Sequence, residues 1–403
     1  MLAFNIWPAA STSIDENWEA TMRDLSEVTR GKYTNLAGIR ETIDNGPYDA
    51  VIVTSPENTP YYTGFWSYDI RGIPERAHFA VWPKGAEPVW VIYERRHANL
   101  KPEDTFLTDV RSYHGEGPDS MRVVAEVLRE CGADKGLIGI EGRNFSSGHF
   151  MELQKHVPEA TFEDALAFLE RPRLIKTPAE VELLVRMAGW TSAAIDTAFA
   201  SAKPGDSERL ISARMQYELL ARGADLIAFP VFGVGEHSGA FHAIAGDKII
   251  EAGMAMATDF GGFRDGYFSD LARTVVIGRA NDQQRDLHAK LTEIKHRIVQ
   301  AIQPGMLASE AAEVGRRGYD ELGLEYKSAV LGHSVGLGIH ESPQIYPWIH
   351  EPILPGMVMM IEVGATSPAG EGFHVEDMIL ITERGAEYRS DYQSHEKLWE
   401  VGA

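Results

Sequence analysis

The chain has 403 residues, 44% of them apolar, and carries 38 basic against 59 acidic side chains for a net charge of −21. That length suits two domains with sizeable cores, and the acidic balance disfavours nucleic acid and anionic membranes as partners. No run of 18 apolar residues offers a membrane span, and the single cysteine, Cys131, cannot form a disulfide within the chain, which fits a cytoplasmic setting.

The opening stretch, MLAFNIWPAASTSIDENW, lacks a basic segment followed by an apolar block, so no secretory signal is read there. The first 45 residues are polar, with Trp18, Met22 and Leu25 at helical steps. Strand patterns follow at Ala50–Val53, Ala77–Trp82, Val89–Tyr93 and Leu137–Glu141, with a helix from about Ser120 to Cys131 between the last two. This predicts a mixed α/β unit whose apolar strands are covered by helices.

A boundary is expected near Arg171-Pro172-Arg173, dividing the chain into 1–172 and 173–403. Thr177-Pro178-Ala179-Glu180 then reads as a helix start: a threonine cap, proline at the first position and a glutamate that closes a capping box. The helix that follows puts Val181, Leu184, Val185, Ala188, Ser192, Ile195 and Phe199 on one core-facing side. Further helices fit Glu208–Arg222, Asp282–Ile302 and Ala308–Leu322. Val231-Phe-Gly-Val-Gly235 is glycine-rich but opens no helix, so a nucleotide loop is rejected.

The chemistry concentrates in the last third, where Asp259, Asp270, His333, Glu362 and Glu376 stand in order. Four carboxylates and one imidazole are a suitable donor set for two divalent cations sharing a water, and hence for hydrolysis. Asp259 and Asp270 flank a Gly- and Asp-rich centre between apolar runs, which reads as a β-hairpin. If they face each other directly, the turn centres between Arg264 and Asp265. Glu362 and Glu376 repeat the construction around Ala369. Gly253-Met254 precedes Asp259 by the same step that separates Gly356-Met357 from Glu362, and Gly261 and Gly364 each follow their acid by two. This faint duplication suggests two similar halves closing on one site. Facing acids lie roughly 5 Å apart at Cβ, a repulsive arrangement unless a cation sits between them. Between the hairpins, Leu331–Pro343 carries His333 and His340 among glycines. His242 lies upstream in GAFHAIAGDKIIEAG.

From about Pro172 to Tyr392 the sequence resembles the pita-bread metallohydrolases: methionine aminopeptidase, aminopeptidase P, prolidase and the creatinases. Leu174-Ile-Lys-Thr-Pro-Ala-Glu180 resembles the opening signature, and Gly332–Pro343 resembles the G-H-x-x-G-x-x-x-H-E-x-P segment. Asn58-Thr-Pro-Tyr-Tyr-Thr-Gly-Phe65 is similar, more loosely, to the extra N-terminal domain of creatinase and prolidase. The resemblance implies a creatinase-like mixed α/β N-terminal domain followed by a pseudo-twofold pita-bread catalytic domain, an α/β (α+β) architecture. It implies Asp259 on one metal, His333 and Glu362 on the other, Asp270 and Glu376 bridging both, and His242 and His340 as substrate-contacting proton handlers. Carboxylate-rich donors with one imidazole accept Mn, Co, Zn or Fe, and the resemblance implies a homodimer.

One departure bears on the substrate. Prolidase and aminopeptidase P commonly carry arginine two residues before the last glutamate, where this chain has His374, shorter and only conditionally charged. Tyr61–Arg71 loosely resembles the region of creatinase that binds a small zwitterion, which makes Tyr62, Trp66 and Arg71 candidate substrate contacts beside His374, within the chain or across a dimer interface. The leading expectation is an Xaa-Pro dipeptidase or aminopeptidase. The alternatives are a creatinase- or ectoine-hydrolase-type enzyme acting on a small zwitterionic solute, and a peptide-binding scaffold without turnover. The full ligand set argues against the scaffold, and Gly261 stands where the family's dimethylsulfoniopropionate lyases carry an extra acid.

Overall fold

The computed structural model describes residues 31–115, 119–327 and 330–402. The helical steps at Trp18, Met22 and Leu25 lie outside the described residues. The N-terminal strands are β1 (Ala50–Val53), β2 (Phe79–Pro83), β3 (Val89–Tyr93), β4 (Asp109–Tyr113), β5 (Leu137–Ile140) and β6 (Thr161–Asp164). They form one mixed sheet in the order β4-β3-β2-β1-β5-β6. The second strand starts at Phe79 rather than Ala77 because a 3₁₀ turn, Pro74–Arg76, occupies the chain just before it. Helices Asp119–Glu130 and Ser147–His156 cover one face of the sheet with Met121, Val124, Leu128 and Leu153. The other face carries Trp82, Trp90 and Ile92 and belongs to a core that continues into the C-terminal half through Leu184, Phe260 and Met360.

The Tyr61–Arg71 segment is built from two short helices, Asn58–Thr63 and Tyr68–Gly72. The expected boundary at Arg171–Arg173 falls in the last turns of helix Leu166–Leu174, which carries Pro172 inside it. Helix Pro178–Ala200 starts with the expected capping box: the Thr177 side chain accepts from the Glu180 N–H at 3.2 Å, and the Thr177 N–H donates to Glu180 Oε2 at 2.7 Å. Its core face is centred on Leu184, Ala188, Ile195 and Phe199, with Leu183 and Met187 inside. Val181 and Val185 sit at the edge of that face and are half-buried.

The C-terminal half repeats one plan, a pair of helices followed by an antiparallel ribbon. The first helix pair, Pro178–Ala200 and Glu208–Arg222, packs on β7 (Leu226–Val234), β8 (Ala255–Arg264), β9 (Tyr267–Phe268) and β10 (Leu271–Ile277). The second pair, Asp282–Ala301 and Ala308–Glu321, precedes β11 (Gly332–Ser334), β12 (Glu341–Gln344), β13 (Val358–Thr366), β14 (Gly372–Thr382) and β15 (Gly385–Tyr388). A last strand, β16 (Trp399–Val401), adds to the first of these sheets, giving orders β16-β10-β8-β7 and β12-β11-β13-β14-β15. The two sheets are sewn together along β10 and β14. Thr274 Oγ1 donates to the His374 carbonyl at 3.0 Å and accepts from its N–H at 2.9 Å. Arg273 reaches the Glu376 carbonyl and the Asp377 carboxylate.

Candidate metal centre

The second ribbon has the register expected of it: Glu362 on β13 lies directly opposite Glu376 on β14. β11 pairs with β13 so that His333 lies opposite Met360, two residues from Glu362. Cross-strand partners share a face and strand side chains alternate, so His333, Glu362 and Glu376 share one side of the sheet.

The first ribbon differs from expectation. Asp259 pairs with Ala272, not Asp270, because the turn is centred one residue further on, at Asp265-Gly266. Both turn residues have positive φ, 55° and 85°, the mirror-image geometry that matches strand twist and for which Asp-Gly is a preferred sequence. Asp259 and Asp270 are therefore diagonal neighbours. Asp270 follows a break in the ladder where the Ser269 carbonyl leans over Gly261, so closely that a Cβ on Gly261 would lie 1.8 Å from it.

The five residues nevertheless converge. His333 Nε2 lies 3.6 Å from Asp270 Oδ2, 3.6 Å from Glu376 Oε1 and 3.8 Å from Glu362 Oε1. Asp259 completes the group beside Asp270. His333 Nδ1 faces the Ser334 carbonyl at 3.1 Å, so that nitrogen donates and Nε2 is left facing the carboxylates. His374 Nε2 is 3.2 Å from Glu362 Oε2. Burial raises the Asp270 carboxyl well above its ordinary value, and the Glu376 and Asp259 charges push it further. Burial also raises Asp259, and it lifts Glu376 to about 7 with help from Glu362 and Asp259. Burial would raise Glu362 too, but hydrogen bonding to His374 and the nearby His333 carry it below the usual range. Asp259 Oδ1 and Asp270 Oδ1 are buried with no hydrogen-bond partner. Crowded carboxylates, orphaned oxygens and an imidazole nitrogen aimed among them are a donor set that fits divalent cations.

A cavity of about 950 Å³ opens onto this cluster, lined among others by His242, Asp259, His340, Tyr346, Glu362 and His374. The His340 ring stands edge-on to His333 with centroids 4.5 Å apart. Burial and the neighbouring His333 lower its pKa to about 4, so it is neutral near pH 7. His242 is exposed at the cavity wall, stacked on Phe241 at 3.8 Å, and holds φ at 51°, a costly value for a residue with a Cβ.

Three expected substrate contacts do not reach the cavity. Tyr62 is 0% exposed and donates to the Leu169 carbonyl at 2.9 Å, so it is a core residue. Trp66 packs over Gly266 at the tip of the first ribbon and lines a separate cavity of about 280 Å³. Arg71 is committed to Glu57 at 3.3 Å and the Leu337 carbonyl at 3.2 Å, and lies over the Phe263 and Phe268 rings. Within one chain, the aromatic run packs the N-terminal unit against the ribbon. The buried group formed by Arg173, Lys176 and Glu341 was overlooked, although Lys176 and Glu341 lie in the segments that carry the family resemblance and Arg173 adjoins one of them.

Two ribbons clasping a carboxylate-rich cluster at the floor of a cavity define a pita-bread metallohydrolase. Residues 182–383 match metallopeptidase family M24, and residues 36–175 match the creatinase/prolidase N-terminal domain. The Xaa-Pro dipeptidase of Pyrococcus furiosus is 34% identical over 252 residues, 62% of this chain and 72% of that protein. The Xaa-Pro dipeptidase of Lactobacillus helveticus is 27% identical over 356 residues, 87% and 95% of the two chains. The solved structure of the prolidase from Pyrococcus furiosus matches with a TM-score of 0.76 at 28% identity, covering 87% of this chain and 99% of that one. The chain belongs to metallopeptidase family M24 and is a metal-dependent hydrolase of peptidase type.

Proposed function

We propose that the protein hydrolyses the amide bond of Xaa-Pro dipeptides at a dinuclear metal centre, with residues 173–403 as the catalytic domain and 1–172 as an auxiliary one. The observation that carries this reading is the Glu362–Glu376 pair opposite each other, with His333 Nε2 within 3.8 Å of three carboxylates. Asp259 would hold one ion, His333 and Glu362 the other, and Asp270 and Glu376 both. Two bound divalent ions would supply Lewis acidity for the scissile carbonyl and an activated water.

The chain's own groups do the rest. Neutral His340 offers a nitrogen lone pair or an N–H to substrate at the metal side of the cavity. His242 stands at the wall, where an imidazole can hand a proton to the departing nitrogen. His374, held by Glu362, faces the cavity where a substrate carboxylate would sit. The His374 position also favours a second reading, hydrolysis of a small zwitterionic solute, because one imidazole gives a carboxylate less grip than an arginine fork. The working assignment is a cytoplasmic homodimer using manganese, cobalt, zinc or iron.

The test is metal analysis of purified protein together with a panel of Xaa-Pro dipeptides, Xaa-Ala controls and small zwitterionic amides. About two ions per chain with turnover confined to Xaa-Pro is the expected outcome. A metal-loaded protein idle on every Xaa-Pro dipeptide, but active on a zwitterionic amide, would transfer the assignment to the second reading.

A further inference from the structure

Glu341 directly follows His340, yet its carboxylate turns away from the cavity and is only 2% exposed. Oε1 accepts the Gly338 N–H at 2.8 Å and also the Arg173 guanidinium, while Oε2 accepts Lys176 Nζ at 2.7 Å. The 335–340 loop is wrapped around this carboxylate, so tightly that a Cβ on Gly336 would lie 2.8 Å from Oε1. The loop's other end is His340, whose ring meets His333.

Arg173 and Lys176 come from the connection between the N-terminal sheet and the helix Pro178–Ala200, and both are buried. Arg173 Nε also donates to Asn58 Oδ1 at 2.7 Å, and its Nη2 donates to Glu170 at 3.2 Å. Asn58 Nδ2 in turn donates to Glu141 Oε1 at 2.7 Å. The second oxygen of Glu141 accepts the N–H groups of Thr54 and Ser55 at the end of β1. One continuous run of buried polar side chains thus extends from the N-terminal sheet to the loop that ends in His340.

A buried ion pair is weak evidence for stability, because desolvation consumes much of its Coulombic gain. What such a network does supply is a single arrangement of the backbone it satisfies. We propose that Arg173 and Lys176 are positioning residues for His340, acting through Glu341, so that the N-terminal unit orients this imidazole while none of its described residues lines the cavity. The consequence for catalysis rests on the role proposed for His340 in turnover.

The test uses the full-length, zinc-loaded protein and the variants Arg173→Lys, Lys176→Met and Glu341→Gln. Displacing a reacting group by about 1 Å costs about 100-fold in rate. The expected result is a fall in kcat of that order with KM and metal content unchanged, and a shift of the His340 ring resonances in nuclear magnetic resonance spectra while those of His333 stay. In a His340→Ala background, Arg173→Lys should cost nothing further, since the two changes would remove the same contribution. An equal loss in both backgrounds, or an unmoved His340 resonance, would overturn the proposal. Arg173→Lys retains the charge and shortens the fork, so it supplies the comparison even if Glu341→Gln fails to fold. If the parent protein turns over no Xaa-Pro peptide, the functional reading falls, and the ring resonance still decides whether Arg173 sets His340.

Discussion

Metal binding to this centre should release protons, and the structure sets the pH range in which that is visible. Burial, with Glu362 and Asp259 close by, raises the Glu376 carboxyl to about 7. It is then about 90% ionised at pH 8 and about 10% ionised at pH 6. A cation needs the ionised form, so Glu376 alone should weaken apparent affinity about tenfold between those pH values. Asp270 is raised well above its ordinary value, by burial first and then by Glu376 and Asp259, and adds a second proton in the same direction. The stability of the metal-free protein follows the same sign. Both carboxyls are raised on folding, so their contribution is complete below the unfolded value and is lost as pH rises through the folded one. For Glu376 that loss is on the order of 3 kcal/mol from pH 4.5 to 8. Glu180, lifted to about 7 by burial at the helix cap, adds to the trend but lies outside the metal cluster. The difference between metal-free and metal-loaded protein isolates the centre from it. Calorimetric titration in two buffers of unlike ionisation heat counts the protons, and urea unfolding of both forms from pH 5 to 8 measures the gap. A gap that does not widen with pH, and binding without proton release at pH 6, would refute the reasoning.

Three substitutions and one surface control test the architecture. Asp270→Ala should abolish both bound metal and peptide turnover, read by elemental analysis and by assay; full activity in that variant would withdraw its role. Gly261→Ala pushes a methyl into the Ser269 carbonyl and should cost roughly 3 kcal/mol or more, with weaker metal binding because Asp270 follows Ser269; wild-type affinity would mean the ribbon yields without disturbing the acid. Asp377→Asn leaves Arg273 and Lys295 buried beside a neutral amide and should destabilise the protein by about 3–5 kcal/mol in urea unfolding, whereas Asp391→Asn nearby on the surface should cost under about 0.5 kcal/mol.

Legibility in the sequence followed the range of the interaction that decides each feature. The Glu362–Glu376 register could be read because a short connection, Ser367–Glu371, closes symmetrically between matched strands. The Asp259–Asp270 register was misread by two positions because Asp265-Gly266, a turn signal in its own right, took precedence over the symmetry assumed between the acids. The capping box at Thr177 and helix Glu208–Arg222 were local and came through intact. Tyr62 and Arg71 looked like ligand contacts because an aromatic, partly charged segment carries no mark of what will cover it. Here the cover is Leu169 in one case and the tip of the first ribbon in the other. Glu341 escaped notice because its partners, Arg173 and Lys176, lie 168 and 165 residues away.

The two ribbons are similar in plan but not equivalent in what they present. The second offers an opposed glutamate pair with an imidazole on the same face. The first offers aspartates set diagonally, one on the ladder and one just past its break. An exact duplication would give two identical acid pairs, whereas here only the glutamate pair has an imidazole, His333, on its face of the sheet. His333 is buried and its Nδ1 is held by the Ser334 carbonyl, so this ring is preorganised. The loop that follows His333 closes on Glu341, which the connection from the N-terminal unit neutralises. Chain-distant groups thus converge on the loop beside His333. The two proposed ion positions would therefore have unlike donor sets, and the His340 ring stands against the one nitrogen donor, His333.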